Sequence, residues 1–177
     1  MNIAAELYKE HSKRQTLKIV DWVGNDPLWF SDLIQAFLSD DAVLIQRSAW
    51  VISTCVERHP ELAMPWLKKM IDRMRQPGLH PAVSRNVLHL LQTTEIPTRL
   101  LGIVVTYCFD VLVDPGSPIA VKAFAMTVLA NAARRQPDLA HEIEESIRNI
   151  PNPSAGIKAR ARRTFAQLKK LDKIKEG

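Results

Sequence analysis

Cysteine is nearly missing from this chain of 177 residues. There are two, Cys55 and Cys108, in apolar runs 53 residues apart. They make no C-x-x-C pair and no disulfide framework, which implies buried, reduced thiols and a cytoplasmic setting. Glycine is scarce, at 6, and no Gly-rich phosphate loop or G-x-S-x-G elbow occurs. No apolar stretch approaches the ~20 residues of a membrane span. The first residues, MNIAAELYKEH, carry Glu6, Lys9 and Glu10 and hold no apolar run of signal-peptide length. Sustained period-two alternation is absent, so no strands are expected. The five histidines, His11, His59, His80, His89 and His141, show no H-E-x-x-H or zinc spacing, so no metal and no cofactor is expected. No carboxylate pair falls at apolar positions where burial would raise a pKa. These absences point away from an enzyme and from a small-molecule substrate.

What is present is a repeat. Apolar residues make up 46% of the chain, enough for a sizeable core. Four of the 11 prolines, Pro27, Pro60, Pro97 and Pro137, stand 33, 37 and 40 residues apart. Each precedes a helical apolar pattern: PLWFSDLIQAFL, PELAMPWLKKMIDRM, PTRLLGIVVTYCFDVL and PDLAHEIEESIRNI. Proline suits the first turn of a helix, where its missing N–H is no loss. A second ladder interleaves with the first: SKRQTLKIV, IQRSAWVIS, VSRNVLHLL, VKAFAMTVL and IKARARRTF, starting at Ser12, Ile45, Val83, Val121 and Ile157. The two ladders predict ten helices in five pairs, each pair an A helix followed by a B helix. The helices fall near 2–10, 12–24, 27–39, 42–58, 60–76, 80–94, 97–112, 117–134, 137–149 and 153–171. One domain spans 1–177, with repeats near 1–25, 26–58, 59–95, 96–135 and 136–172.

At DPGSPIAVKAFAMTVL, residues 114–129, the chain resembles the HEAT/armadillo-type helical repeat family. That family's signature is a turn with Asp and Pro, then Val-Arg, then small residues that pack the second helix. Lys122 stands at the signature's basic position, as do Lys13 and Lys158. In IQRSAW and VSRNVL the basic residue comes one place later, at Arg47 and Arg85. The resemblance implies an all-α fold, a right-handed α-α superhelix or HEAT-like solenoid of about five helix pairs, in which the B helices line the concave side.

Charge divides between the two helix sets. The A helices with their turns carry a net −6 and the B helices a net +13. A basic B-helix face implies an acidic partner, either nucleic acid or an acidic protein surface. Its candidate binding residues are Lys13, Arg14, Arg47, Arg85, Lys122, Lys158 and Arg162. The competing reading makes the early basic residues structural, bonded to neighbouring loops. The segment 155–177 alone holds eight basic and two acidic residues. A capping helix with a polar outer face explains that as well as a ligand does. Its basic face takes in Lys158, Arg162, Lys169 and Lys173.

The four tryptophans bear on base recognition, because some HEAT-like proteins are DNA glycosylases that remove alkylated bases. Trp50 and Trp66 align with apolar repeat positions and are expected in the core, and Trp29 aligns with Leu62 and Leu139. Only Trp22, beside Asp21, is expected to be partly exposed. The sequence therefore favours a non-enzymatic scaffold that engages a macromolecule, a protein before all, through its B-helix face. A nucleic-acid-binding protein with a basic groove, related to DNA alkylation repair, is the alternative. No membrane partner is expected.

Overall fold

A computed structural model describes residues 1–175 of the chain, with side chains as far as Leu171. Among these residues every regular element is a helix, and no strand occurs. None is long and apolar enough to cross a membrane. The chain divides into two compact units, Met1–Leu90 and Leu91–Gly177, with the division close to the end of the third repeat read from sequence.

The first unit begins with α1 (Ile3–Lys9), α2 (Lys13–Val23), α3 (Pro27–Leu38) and α4 (Ala42–Arg58). Each start is fixed by a polar side chain that accepts from the N–H groups a helix leaves unpaired. Asn2 accepts from the Ala5 amide, Ser12 from Gln15, Asp26 from Leu28 and Trp29, and Asp41 from Val43 and Leu44. Pro27 occupies the first turn of α3, as its fixed φ favours. Gly24 ends α2 at φ 52°, ψ −127°, where a Cβ would be strained. Packing is led by α3 on α4 and α2 on α4. Phe30, Leu33, Ile34 and Phe37 of α3 are fully buried, as are Ile19 and Val20 of α2. Each such side chain contributes about 1.5–3 kcal/mol of apolar burial.

The segment expected as one helix over 60–76 is two elements. Pro60–Trp66 forms a 3-10 helix and Leu67–Met74 forms α5. The physical reason is Pro65, which has no N–H and whose ring clashes with the carbonyl four residues before it, so an α-helix cannot run through. The unit closes with α6 (Ala82–Leu91).

The second unit holds α7 (Thr98–Val113), α8 (Ile119–Ala133), α9 (Leu139–Arg148) and α10 (Ala155–Lys175). The β-prone stretch VVTYCF lies within α7, as the repeat required. α8 packs on α7, on α9 and on α10. Its sequence suits that central place: Val121, Ala125, Met126, Val128, Leu129, Ala130, Ala132 and Ala133 are all buried, and a helix apolar nearly all round belongs inside.

Side-chain hydrogen bonds restate the repeat in three dimensions. In the first unit the Tyr8 hydroxyl reaches Asp41, 33 residues on, and Arg73 reaches Ser39 and Asp40. In the second, Asn131 donates to the Gln92 carbonyl and Arg135 to that of Ile96, each 39 residues back. Tyr8–Asp41, Arg73–Ser39 and Asn131–Gln92 each tie a repeat to the one before it, and Arg73, Asn131 and Arg135 satisfy loop carbonyls that helices leave open.

Candidate functional site

The seven basic residues of the B-helix ladder fall into different environments. In the first unit, Arg47 is half-buried on α4. Its Nη1 donates to the carbonyls of Leu7 and Tyr8, at 2.8 and 3.0 Å, closing the C-terminal end of α1. Arg14 is exposed and pairs with Glu10 at 3.4 Å. Lys13 and Arg85 are exposed, with no side-chain partner among the described residues. In the second unit, Lys122 is only 6% exposed, and its Nζ donates to the Leu112 carbonyl near the end of α7 at 3.2 Å. Lys158 and Arg162 stand exposed on α10 without a described partner, whereas Lys173's side chain lies outside the described residues. Arg47 and Lys122 are thus built into the fold as loop ties. The cations left unpaired are Lys13 and Arg85 in the first unit, where Arg14 keeps only its exposed pair with Glu10, and Lys158 and Arg162 in the second.

Aromatic side chains add a second component on the first unit's B helices. Trp50, expected in the core, is 42% exposed. The helix geometry of α4 gives the reason. Ile45, Ala49, Ile52 and Val56 recur at steps of four and three and form the buried stripe. Trp50 lies across the helix from that stripe, on the side of Gln46 and Glu57, both exposed. The same stripe, traced along the sequence, carries the signal that alignment of repeats alone misses. The Trp50 indole meets the His11 ring edge to face, with centroids 5.5 Å apart. Trp22 is 44% exposed, in keeping with its sequence position, and packs at 65° against Trp29 with centroids 5.6 Å apart. Trp66 is half-buried rather than core, because the 3-10 turn around Pro65 leaves it at the junction with α5, where Lys69 Nζ sits 5.0 Å above its ring.

Other cations of the first unit are held by carboxylates. Arg58 pairs with Asp21 at 2.8 Å, so the carboxylate beside Trp22 faces a guanidinium. Lys18 and Lys9 both reach Glu6, at 2.9 and 2.6 Å, and Gln15 adds a third donor. Hydrogen bonds from Lys18, then Lys9 and Gln15, hold the Glu6 carboxyl down at about 2. The Tyr8 hydroxyl lowers Asp41, and Asp41 in turn raises Tyr8. Hydrogen bonds, led by that of Ser12, lower Glu10, and Ser117 with the Gly116 amide lowers Asp114. Burial pushes the Cys55 thiol up to about 12 and drives Cys108 upward as well, so both thiols are poor nucleophiles.

On the first unit the arrangement offers two exposed tryptophans on the neighbouring helices α2 and α4. Aromatic rings with a polar edge anchor macromolecular interfaces. A family model described as a HEAT repeat domain matches residues 3–168. No curated protein and no solved structure matches the chain.

Proposed function

Because the chain belongs to the HEAT repeat family, we propose that it is a non-enzymatic scaffold whose macromolecular partner is a protein, held on the B helices of the first unit. HEAT repeats commonly mediate macromolecular interactions, and their shallow surfaces suit extended segments and helices better than small molecules. The observation that carries this reading is the pair of exposed indoles, Trp22 on α2 and Trp50 on α4. Large apolar side chains open to water mark contact sites, and Trp is the residue most enriched among interface hot spots. Lys13 and Arg85 stand on the same helix set, which favours a partner with acidic residues flanking an apolar anchor.

The test is affinity capture from the native cell extract, with and without nuclease, using the wild type and Trp22→Ala/Trp50→Ala. The expected result is one defined polypeptide that survives nuclease and is lost in the double variant, whose helix content is unchanged. Capture that nuclease abolishes, or that the double variant retains in full, overturns this reading.

A further inference from the structure

The last helix presents a surface unlike any other on the molecule. Between Ala155 and Leu171, α10 carries Lys158, Arg160, Arg162, Arg163, Lys169 and Lys170 and no acidic residue. None of the six has a side-chain partner among the described residues. Elsewhere many cations are paired, as are Lys9 and Lys18 with Glu6, Arg58 with Asp21, Lys68 with Asp72, and Arg148 with Glu144, and those left unpaired, such as Lys13 and Arg85, are spread over separate helices. The helix is docked through Ile157, Ala161, Thr164 and Leu168, all buried, so Lys158, Arg162, Arg163, Lys169 and Lys170 stand exposed away from that contact, while Arg160 is half-buried beside it.

Helical geometry sorts the five exposed cations into rows. At about 100° per residue, Lys158, Arg162 and Lys169 fall within about 40° of one another, and Arg163 and Lys170 form a second row roughly 100° away. Between the rows lie Ala155, Ala159 and Ala166, a narrow strip of small side chains. Lys158 to Lys169 spans roughly 17 Å along the helix axis at about 1.5 Å per residue. Like charges at i, i+4 repel, as do Lys158 and Arg162, so the face costs the free protein stability and becomes favourable once a polyanion neutralises it.

The chemistry of the face selects among polyanions. A protein interface needs large apolar or aromatic anchors, and lysine is depleted from interface cores. The exposed strip of α10 offers alanine in place of such anchors. Single-stranded nucleic acid is held by aromatic rings on which bases stack. The one aromatic residue of this stretch, Phe165, is half-buried, with the Arg148 guanidinium 5.0 Å over its ring. Two rows of cations flanking a strip of small side chains fit a regular double row of phosphates that approaches closely. We propose that the exposed face of α10 is a docking surface for the phosphate backbone of duplex nucleic acid, read by charge and not by base sequence. The face is built from α10 of the second unit alone and does not depend on the role of the first unit's tryptophans.

The experiment uses the full chain and a labelled DNA duplex of about 20 base pairs, followed by fluorescence anisotropy from about 25 to 200 mM NaCl. The wild type should bind at low salt, with affinity falling by about three to five log units per log unit of salt, near 0.9 for each phosphate neutralised. Arg162→Glu/Lys169→Glu should lose at least about tenfold in affinity and about two units of that slope, while Arg162→Gln/Lys169→Gln should fall between. Circular dichroism should show native helix content in each. Lys68→Glu/Arg75→Glu, an equal charge change on the first unit, should alter affinity less than about twofold at about 150 mM NaCl, where screening confines charge effects to the contact. The proposal is overturned if the wild type fails to bind duplex at the lowest salt, or if the control variant loses as much as the α10 variant. It is also overturned if polyglutamate displaces the duplex at equal charge concentration, because the face then takes acidic side chains as readily as phosphates.

Discussion

Arg47 and Leu7, forty residues apart, are joined by a hydrogen bond of 2.8 Å from the guanidinium to the last turn of α1. The same Nη1 also reaches Tyr8. A helix C-terminus exposes unpaired carbonyls and a partial negative charge, and a guanidinium answers both. Arg47→Ala should therefore lower unfolding free energy in urea by about 1.5–3 kcal/mol, the range for a hydrogen bond from a charged donor. An unchanged denaturation midpoint would return Arg47 to the set of free surface cations.

Lys122 and Lys158 occupy the same place in their repeats and should respond in opposite ways. Lys122 is buried and bonded to the Leu112 carbonyl, whereas Lys158 is exposed on α10. Lys122→Glu buries a carboxylate against a carbonyl and should cost roughly 3–5 kcal/mol or prevent folding. Lys158→Glu should stay within about 0.5 kcal/mol of the wild type in stability. Thermal unfolding of the two variants separates them, and equal melting temperatures would contradict the placement of Lys122.

Trp50→Ala provides a direct reading of exposure. A core tryptophan costs about 3–5 kcal/mol on truncation, but Trp50 is 42% exposed and edges onto the His11 ring. The expected loss is under about 1.5 kcal/mol, against about 3–5 for Phe30→Ala, whose side chain is fully buried. Chemical denaturation of both variants tests the contrast. A Trp50→Ala loss as large as that of Phe30→Ala would put the indole in the core.

Glu6 predicts the acid side of the stability curve. Its carboxyl titrates near 4.5 when unfolded and at about 2 when folded, because Lys18, Lys9 and Gln15 bond the ionised form. A depressed carboxyl contributes stability that is whole above the unfolded value and is lost as pH falls through the folded one. Glu6→Gln should thus be less stable than the wild type at pH 7. The gap should narrow between about pH 4.5 and pH 2 and vanish below, as measured by urea unfolding at stepped pH. A gap independent of pH would mean that the ionised carboxylate is not what Lys18 and Lys9 recognise.

The helices were legible because Pro27, Pro60, Pro97 and Pro137 and the interleaved ladder from Ser12 to Ile157 mark the repeat period along the whole chain; the caps Asn2, Ser12, Asp26 and Asp41 then fix helix starts in the first two repeats. The break at 60–76 was missed because the repeat period alone placed a helix there, whereas Pro65 interrupts it. The candidate site was only half legible. Basic residues at one repeat position look alike in sequence, yet Lys122 points inward to a carbonyl and Lys158 outward to water. That difference is set by the A helix of the same pair: Lys122 reaches the Leu112 carbonyl near the end of α7, ten residues back, which its own segment does not contain. Trp50 was misplaced for a related reason. Repeat alignment assumes that equivalent positions are equally buried, whereas the stripe of Ile45, Ala49, Ile52 and Val56 had already turned the indole outward.

The side-chain bonds between repeats, from Tyr8–Asp41 to Arg47–Leu7, span 33 to 40 residues. Ties of that reach make each unit a structure that can grow in the order of its synthesis. As a repeat leaves the ribosome, the carbonyls that its cations must find are already in place one repeat upstream, and none of these bonds waits for a distant end of the chain. Loop closure over so short and constant a distance keeps the entropy of each step nearly equal. The nascent chain can then extend its core repeat by repeat, with its newest helix the one still exposed to the cell.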